Sequence, residues 1–227
     1  MAEFQWRVRR GSSVRSFSDG LVVQGGPRGH LSLSACRASA RQVAPGDFGL
    51  LGPLAAACAS EGIRRDTGIV SWLHWPDLVT IEGRVVARTS LSATRPEGAD
   101  AEARVVFAVL VNCFAGRPSS FPLRLPATSI LDSLGVEIDV DLLRDKVLHA
   151  LDWYFAEWER GIDRKLVERM EPTISWLGGD VEVRTTEAKV LKGRAKGLDD
   201  QGSLLLARRG GILAVPAGSV ELVTAVE

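Results

Sequence analysis

Residues 181–223, VEVRTTEAKVLKGRAKGLDDQGSLLLARRGGILAVPAGSVELV, decide how the chain ends. Short apolar runs (Val181 to Val183, Glu187 to Leu191, Gly193 to Leu198, Ser203 to Ala207, Ile212 to Val215 and Ser219 to Val223) alternate with turn sequences such as Asp-Asp-Gln-Gly and Arg-Arg-Gly-Gly. The spacing predicts short strands in a small closed or nearly closed barrel, because closure removes the edges that such strands would leave exposed.

Upstream of about Pro172 the pattern is different. Phe4, Trp6 and Val8 alternate with polar residues, and Leu21 to Gln24 and His30 to Ala35 flank the glycine-rich loop Gly25 to Gly29. An Ala- and Leu-rich helix is expected from Asp47, as N-cap, to a stop at Gly62. Strands follow at Ile69 to Leu73, Val79 to Ile81, Val85 to Ser90 and Arg104 to Asn112, with Glu82-Gly83 as a turn, and a short helix is expected at Thr128 to Leu134. From Asp139 to Arg160 the apolar residues Leu142, Leu143, Val147, Leu148, Leu151, Tyr154, Phe155 and Trp158 recur at three- and four-residue steps, as on an amphipathic helix. The expectation is an α+β fold: a mixed or antiparallel sheet packed by helices over residues 1–171, then the small β-barrel over 172–227.

Composition narrows the function. Lys plus Arg and Asp plus Glu each number 28 in 227 residues, so no net field draws the chain onto nucleic acid or an anionic membrane. No apolar run is long enough to span a bilayer, and the charged start MAEFQWRVRR is no signal peptide, so a cytoplasmic location is expected. Cys36, Cys58 and Cys113, and His30, His74 and His149, are scattered without metal-ligand spacing, and no structural metal is expected.

Three local sequences resemble the biotin protein ligases, over nearly the whole chain. The segment from Gly193 through Gly197-Leu198-Asp199 and Gly202 to Leu204-Leu205-Leu206 is similar to the family's G-x-x-x-G-I-D-x-x-G-x-L-L-L, part of an SH3-like barrel. His74-Trp75-Pro76-Asp77-Leu78 with Glu82-Gly83-Arg84-Val85-Val86-Ala87 resembles K-W-P-N-D followed by x-G-x-K-[LV]-A-G, and Val105 to Asn112 resembles the strand that ends in G-I-N. Either one residue of W-P-N-D is lost, or Asp77 and Leu78 replace its Asn and Asp.

The resemblance implies an ATP-dependent ligase that makes biotinyl-5′-adenylate and passes the biotinyl group to a lysine of a biotin carboxyl-carrier protein, with Mg²⁺ as the ion. Joining a carboxylate to the α-phosphorus of ATP brings two anions together, so amide N–H groups, cations and metal must balance charge in the transition state. By the resemblance Arg28 and Asp77 carry the chemistry, with Asp77 near Mg²⁺. Gln24, Gly25, Gly26, Gly29 and His30 then belong to the phosphate and biotin loop, Ser12 and Ser13 to the biotin pocket, and Trp75, Arg84, Asn112 and Lys196 to the ligand or nucleotide site. Each has a plainer reading: a hairpin turn at Gly25 to Gly29, a turn at Ser12-Ser13, a buried indole at Trp75, a strand-end cap at Asn112, a solvated Lys196.

The chain also departs from the family. Gln24-Gly25-Gly26-Pro27-Arg28-Gly29-His30 is shorter than Q-x-x-G-R-G-R-x-G-R-x-W and keeps one arginine, and the hairpin lysine falls on Val85, with Arg84 and Arg88 the nearest cations. A guanidinium does not replace an ammonium in reach or geometry. The alternative is therefore a ligase-like binding protein that has lost adenylation. Lipoate is a further acyl group that the catalytic fold can serve, although the C-terminal barrel favours the biotin branch. A homodimer through the sheet and the absence of DNA-binding regulation complete the expectations.

Overall fold

The computed structural model describes residues 7–10, 20–25, 29–39, 41, 45–94, 102–114, 121 and 125–226. Seven strands form the first sheet: β1 (Arg7–Arg10), β2 (Leu21–Gly25), β3 (His30–Ser39), β4 (Trp72–His74), β5 (Leu78–Ile81), β6 (Arg84–Thr94) and β7 (Ala103–Asn112). Their order is β1-β2-β3-β7-β6-β5-β4. β1 and β2 run parallel and the other pairs antiparallel, so the sheet is mixed.

Alternation along the long central strands decides which face is covered. On β7, Val105, Phe107, Val109 and Val111 are buried, and with Leu31, Leu33 and Ala35 of β3 they meet two helices, α1 (Leu51–Thr67) and α3 (Val140–Glu159). Phe107 meets Phe155 of α3 edge-on, with ring centroids 5.9 Å apart. Asp139 caps α3 by accepting from Asp141 N and Leu142 N. α2 (Ile130–Leu134) starts on a reciprocal capping box between Ser129 and Asp132. α4 (Asp163–Met170), absent from the sequence expectation, follows α3 after a turn.

Two boundaries of α1 differ from expectation. A 3-10 helix at Pro45–Leu50 leads directly into it, so Asp47 lies in that turn and is no N-cap, and Leu50 precedes the first helical residue without a side-chain cap. Gly62 does not stop the helix. It is where α1 crosses α3: a Cβ there would stand 2.5 Å from Val147 Cγ2 and 3.0 Å from its main-chain N and Cα. The true stop is Gly68, left-handed at φ 75°, whose N–H returns to Arg64 O.

The second sheet holds β8 (Asp180–Thr185), β9 (Val190–Leu198), β10 (Leu204–Arg208), β11 (Gly211–Val215) and β12 (Val220–Ala225), in the order β11-β10-β9-β8-β12. The runs expected at 187–191 and 193–198 merge into the single β9, because Gly193 lies against Ala207 O of β10, where a Cβ would stand at 2.4 Å, and so continues the ladder rather than turning it. The boundary expected at 171/172 falls in a 3-10 turn, Glu171–Thr173, between α4 and this sheet. The buried cluster that packs α1 and α3 continues into Val181, Val183, Leu204 and Leu206.

Candidate functional site

The Trp75-Pro76-Asp77 turn joins β4 to β5 at the seam between the two sheets. Trp75 is fully buried, and its Nε1 donates to Gly202 O of the second sheet's β9–β10 turn at 3.0 Å. The neighbouring His74 has its Nε2 2.7 Å from Val223 O of β12, and its ring lies edge-on to Trp176. Burial pulls the His74 imidazole below its usual value, and the Val223 carbonyl offsets part of that. Trp75 therefore corrects the expectation of a ligand contact: the indole is spent on the joint between sheets.

Asp77 is placed differently. Its main-chain oxygen receives Thr89 N at 2.8 Å, and one carboxylate oxygen receives Arg88 Nε at 3.2 Å. Burial raises the carboxyl above its ordinary range, against the lowering influence of Arg88. Asp77 lines a cleft of about 300 Å³ with Phe48, Pro76, Leu91, Gly218 and Val220. Among the described residues no three His, Cys, Asp or Glu side chains converge to hold a metal, and Asp77 stands as a single carboxylate beside Arg88.

The hairpin that follows turns on Glu82 and Gly83, both at positive φ. Arg84 sits at its tip, 3.2 Å from Glu82 Oε2, on the exposed surface. Next comes Val85, whose neighbourhood is decisive. Its N–H donates to Pro126 O at 2.8 Å, and its carbonyl accepts from Thr128 N at 2.9 Å, so a further segment is laid alongside β6. The side chain is fully buried and packs with Leu78 and Phe121, backed by Leu110, Leu125 and Ala127. The position of the motif's lysine, and that of its aspartate under the substitution reading, meet here as two aliphatic side chains.

On the sheet face away from the helices, β3, β7 and β6 run side by side. His30 pairs with Asn112, Ser32 and Arg88 both pair with Leu110, and Ser34 and Ser90 both pair with Ala108. A shallow pocket of about 300 Å³ lies over Ser32, Ser34, Arg88, Ser90, Ala108 and Leu110. Asn112 is fully buried and donates from Nδ2 to Thr128 O at 2.9 Å, which holds the segment before α2 against β7. Gly29, at φ 94°, accepts at its carbonyl from Cys113 N and Phe114 N, and the half-buried His30 follows.

Gly29, His30 and Asn112 are thus brought to one end of β3 and β7, with Arg88 and Asp77 beside the neighbouring strand. Other expected residues are not brought there. Gln24 faces the opposite, helix side, where its Oε1 accepts from Arg144 Nη1 at 3.0 Å and its Nε2 lies 3.4 Å from Asp141 Oδ1. This corrects its assignment to the ligand loop, for strand alternation pairs it with the core residue Leu33. Gly25 ends β2 opposite Ser32. Lys196 is exposed on β9 at the bulge where the ladder passes from Gly197 to Ala195. Ser12, Ser13, Gly26 and Arg28 lie outside the described residues. Sequence reasoning missed the row Ser32, Ser34, Ser90, Ala108 and Leu110. The period-two alternation of β3 and β7 was the signal that could have found it.

Comparison with known proteins accords with this architecture. Residues 177–223 match the family described as the biotin protein ligase C terminal domain. The bifunctional ligase/repressor BirA of Bacillus subtilis is 26% identical over 171 residues, which are 74% of this chain and 51% of that protein. The chain therefore spans about half the length of that curated relative. Among solved structures, biotin protein ligase from Aquifex aeolicus superposes with a TM-score of 0.72 at 18% identity, covering 92% of this chain and 90% of that one. The same ligase in complex with biotin and ATP gives 0.70 at 18% identity, with 93% and 91% covered. A biotin protein ligase-like protein of unknown function from Silicibacter gives 0.71 at 17% identity, with 94% and 95% covered. At these identities the structural likeness is one of fold. The chain thus has the fold of the biotin protein ligases over nearly its whole length, and its end matches the C-terminal domain of that family.

Proposed function

We propose that this chain is a ligase-fold binding protein that has given up the ATP-dependent activation of biotin, the alternative that its sequence held open beside the ligase itself. One observation carries the reading: the buried apolar cluster of Val85, Leu78 and Phe121 at the motif positions of the lysine and, under the substitution reading, the aspartate. An adenylate forms only where cations and amide donors face the carboxylate and the α-phosphate, and an anion set against aliphatic carbon loses its hydration without compensation. ATP and biotin, which the Aquifex ligase binds, do not fit these residues in the manner of the motif.

A second feature of the same face supports this reading. Where the quoted motifs carry glycine after K-[LV]-A and before I-N, this chain has Arg88 and Leu110, and these two are cross-strand partners. Two glycines facing each other leave a flat floor on the sheet, whereas a guanidinium stem and an isobutyl group occupy that floor.

The test is isothermal titration with biotin and ATP, singly and together, followed by mass spectrometry for biotinyl-adenylate, with a ligase of the family run in parallel. No adenylate is expected, and none is expected from Val85→Lys. A biotinyl-adenylate peak from the unaltered protein would overturn the reading and restore the ligase, with a biotin carboxyl-carrier protein as acceptor and Arg28 and Lys196 as the next residues to substitute. No described helix is long and apolar enough to cross a membrane. A cytoplasmic site of action and a homodimer through the sheet remain parts of the proposal, the latter open to sedimentation equilibrium.

A further inference from the structure

The second sheet ends on β11, which pairs with β10 alone. The turn Arg209-Gly210 joins the two strands, and a two-residue turn closes with its flanking residues, here Arg208 and Gly211, bonded to each other. In an antiparallel strand both main-chain groups of one residue point to the same side, and the side alternates along the chain. Gly211, Leu213 and Val215 therefore turn theirs to β10, whereas Ile212 and Ala214 turn theirs to the open edge. Among the described residues no main-chain bond reaches Ile212 or Ala214 from that side. The side chains stand open as well, Ile212 66% and Leu213 38% exposed. Edges of this kind are normally guarded by a charge, a proline or a bulge. The strand Gly211-Ile212-Leu213-Ala214-Val215 holds no charge and no proline, and its ladder to β10 is unbroken.

We propose that this edge pairs with the same edge of a second copy of the chain, antiparallel about a two-fold axis at Leu213, so that the two five-stranded sheets join.

The outward groups select the register. With the axis at Leu213, Ile212 of each copy faces Ala214 of the other, and residues that face each other with outward groups exchange both bonds. An axis at Ala214 would set Ile212 opposite Pro216, which has no N–H, and an axis at Ile212 would set Ala214 opposite Gly210, inside the turn. Side-chain size agrees with the same register. The large Ile212 lies beside the small Ala214, and the two Leu213 residues meet as a non-hydrogen-bonded pair, about 4.5 Å apart at Cα. Charge agrees too: Arg208 and Arg209 of one copy fall beside Gly218 and Ala217 of the other. The two Arg209 residues then stand about 27 Å apart, well beyond a Debye length at physiological salt. A second copy is favoured over a peptide from another protein because the pairing of bulk with small and the separation of cations both arise when this strand is set against itself. The inference uses neither biotin nor ATP and is independent of whether adenylation survives.

Sedimentation equilibrium up to about 100 μM should show monomer and dimer in exchange, since one pair of short strands is a small interface. Ile212→Lys, at an exposed side chain, sets two ammonium groups diagonally across the axis and should weaken association at least about tenfold. Ile212→Glu should do the same, and an equal mixture of the two variants should recover it. Pairing through the seven-stranded sheet would not respond to position 212, so the two associations separate in one experiment. Leu213→Cys checks the geometry, because the two residues meet within disulfide reach and Cys36, Cys58 and Cys113 are buried. With oxidised glutathione it should give a covalent dimer far faster than Val190→Cys, a similarly exposed position on β9. If Ile212→Lys fails to fold, this cross-link carries the test. A monomer at about 100 μM, a dimer unmoved by Ile212→Lys, or cross-linking of Leu213→Cys no faster than that of Val190→Cys would sink the proposal.

Discussion

The two faces of the seven-stranded sheet obey different rules. Toward the helices, Leu31, Leu33, Phe107, Val109 and Val111 interlock with α1 and α3, and the side chains there are fixed by close packing. Away from the helices, small hydroxyl residues (Ser32, Ser34, Ser90) lie beside a local apolar plug at Val85, Leu78 and Phe121. The difference shows that a scaffold and a ligand face answer to different constraints. Packing constrains the helix face residue by residue, whereas the open face needs charge only if it must hold an anion, and it can exchange charge for carbon without disturbing the scaffold.

The largest effect expected on this contrast comes from restoring charge to the plug. Val85→Lys places an ammonium among Leu78, Phe121 and Leu110, and urea unfolding should register a loss of about 3–5 kcal/mol, as for an unpaired buried charge. An unperturbed midpoint would mean that the plug opens to water and that the open face is a cavity after all. Trp75→Ala probes the seam instead and should cost a similar amount, about 3–5 kcal/mol, whereas Trp75→Phe keeps the bulk but leaves Gly202 O without its donor, about 1–3 kcal/mol. If Trp75→Phe proved neutral, the indole would not be holding the two sheets together.

On the helix face, Gly62→Ala sets two tendencies against each other. Alanine favours the helix by up to about 1 kcal/mol, while its methyl would press on the Val147 backbone, which cannot rotate away, and overpacking costs about 1–3 kcal/mol. Net destabilisation is expected in thermal melts, and a stabilised variant would show that α1 and α3 can move apart. Ser129→Ala, which removes half of the capping box of α2, should cost about 1 kcal/mol.

Legibility in the sequence divides along the same line. Strand positions in both sheets could be read because alternation and turn residues are local, and α3 because its apolar steps repeat over five turns. Gly62 misled because a glycine inside a helix and a glycine ending one look alike until the crossing helix is known. α4 was missed because its largely polar run Asp163–Met170 carries few apolar steps, with Leu166, Val167 and Met170 reaching the core. For the candidate site, motif letters located Asp77, Val85 and Asn112, but not which way each side chain turned. Gln24, one residue before Gly25, looked like part of a ligand loop until its register with Leu33 turned it toward α3. Likewise nothing local joined Leu78 to Phe121, which are 43 positions apart and meet only through the sheet.

The smallest expected effect is a pH slope at the seam, because it rests on single titrating groups. His74 is buried with its Nε2 on the Val223 carbonyl, and its pKa lies below the ordinary 6.5. The unfolded chain therefore binds the proton more readily than the folded one, so the contribution of His74 is whole above pH 6.5 and drains away as pH falls through the depressed folded value. Asp77 acts with the opposite sign. Its folded pKa is raised, so its contribution is whole below the ordinary 3.8 and fades as pH rises through the folded value. Melting temperatures from pH 8 down to pH 4 for the unaltered chain, His74→Gln and Asp77→Asn separate the two. His74→Gln should flatten the decline below neutrality, while Asp77→Asn should leave that decline in place and stabilise the chain at neutral pH relative to the ionised carboxylate. A decline that persisted unchanged in His74→Gln would place the titrating group elsewhere and reduce the His74 to Val223 contact to a passive one.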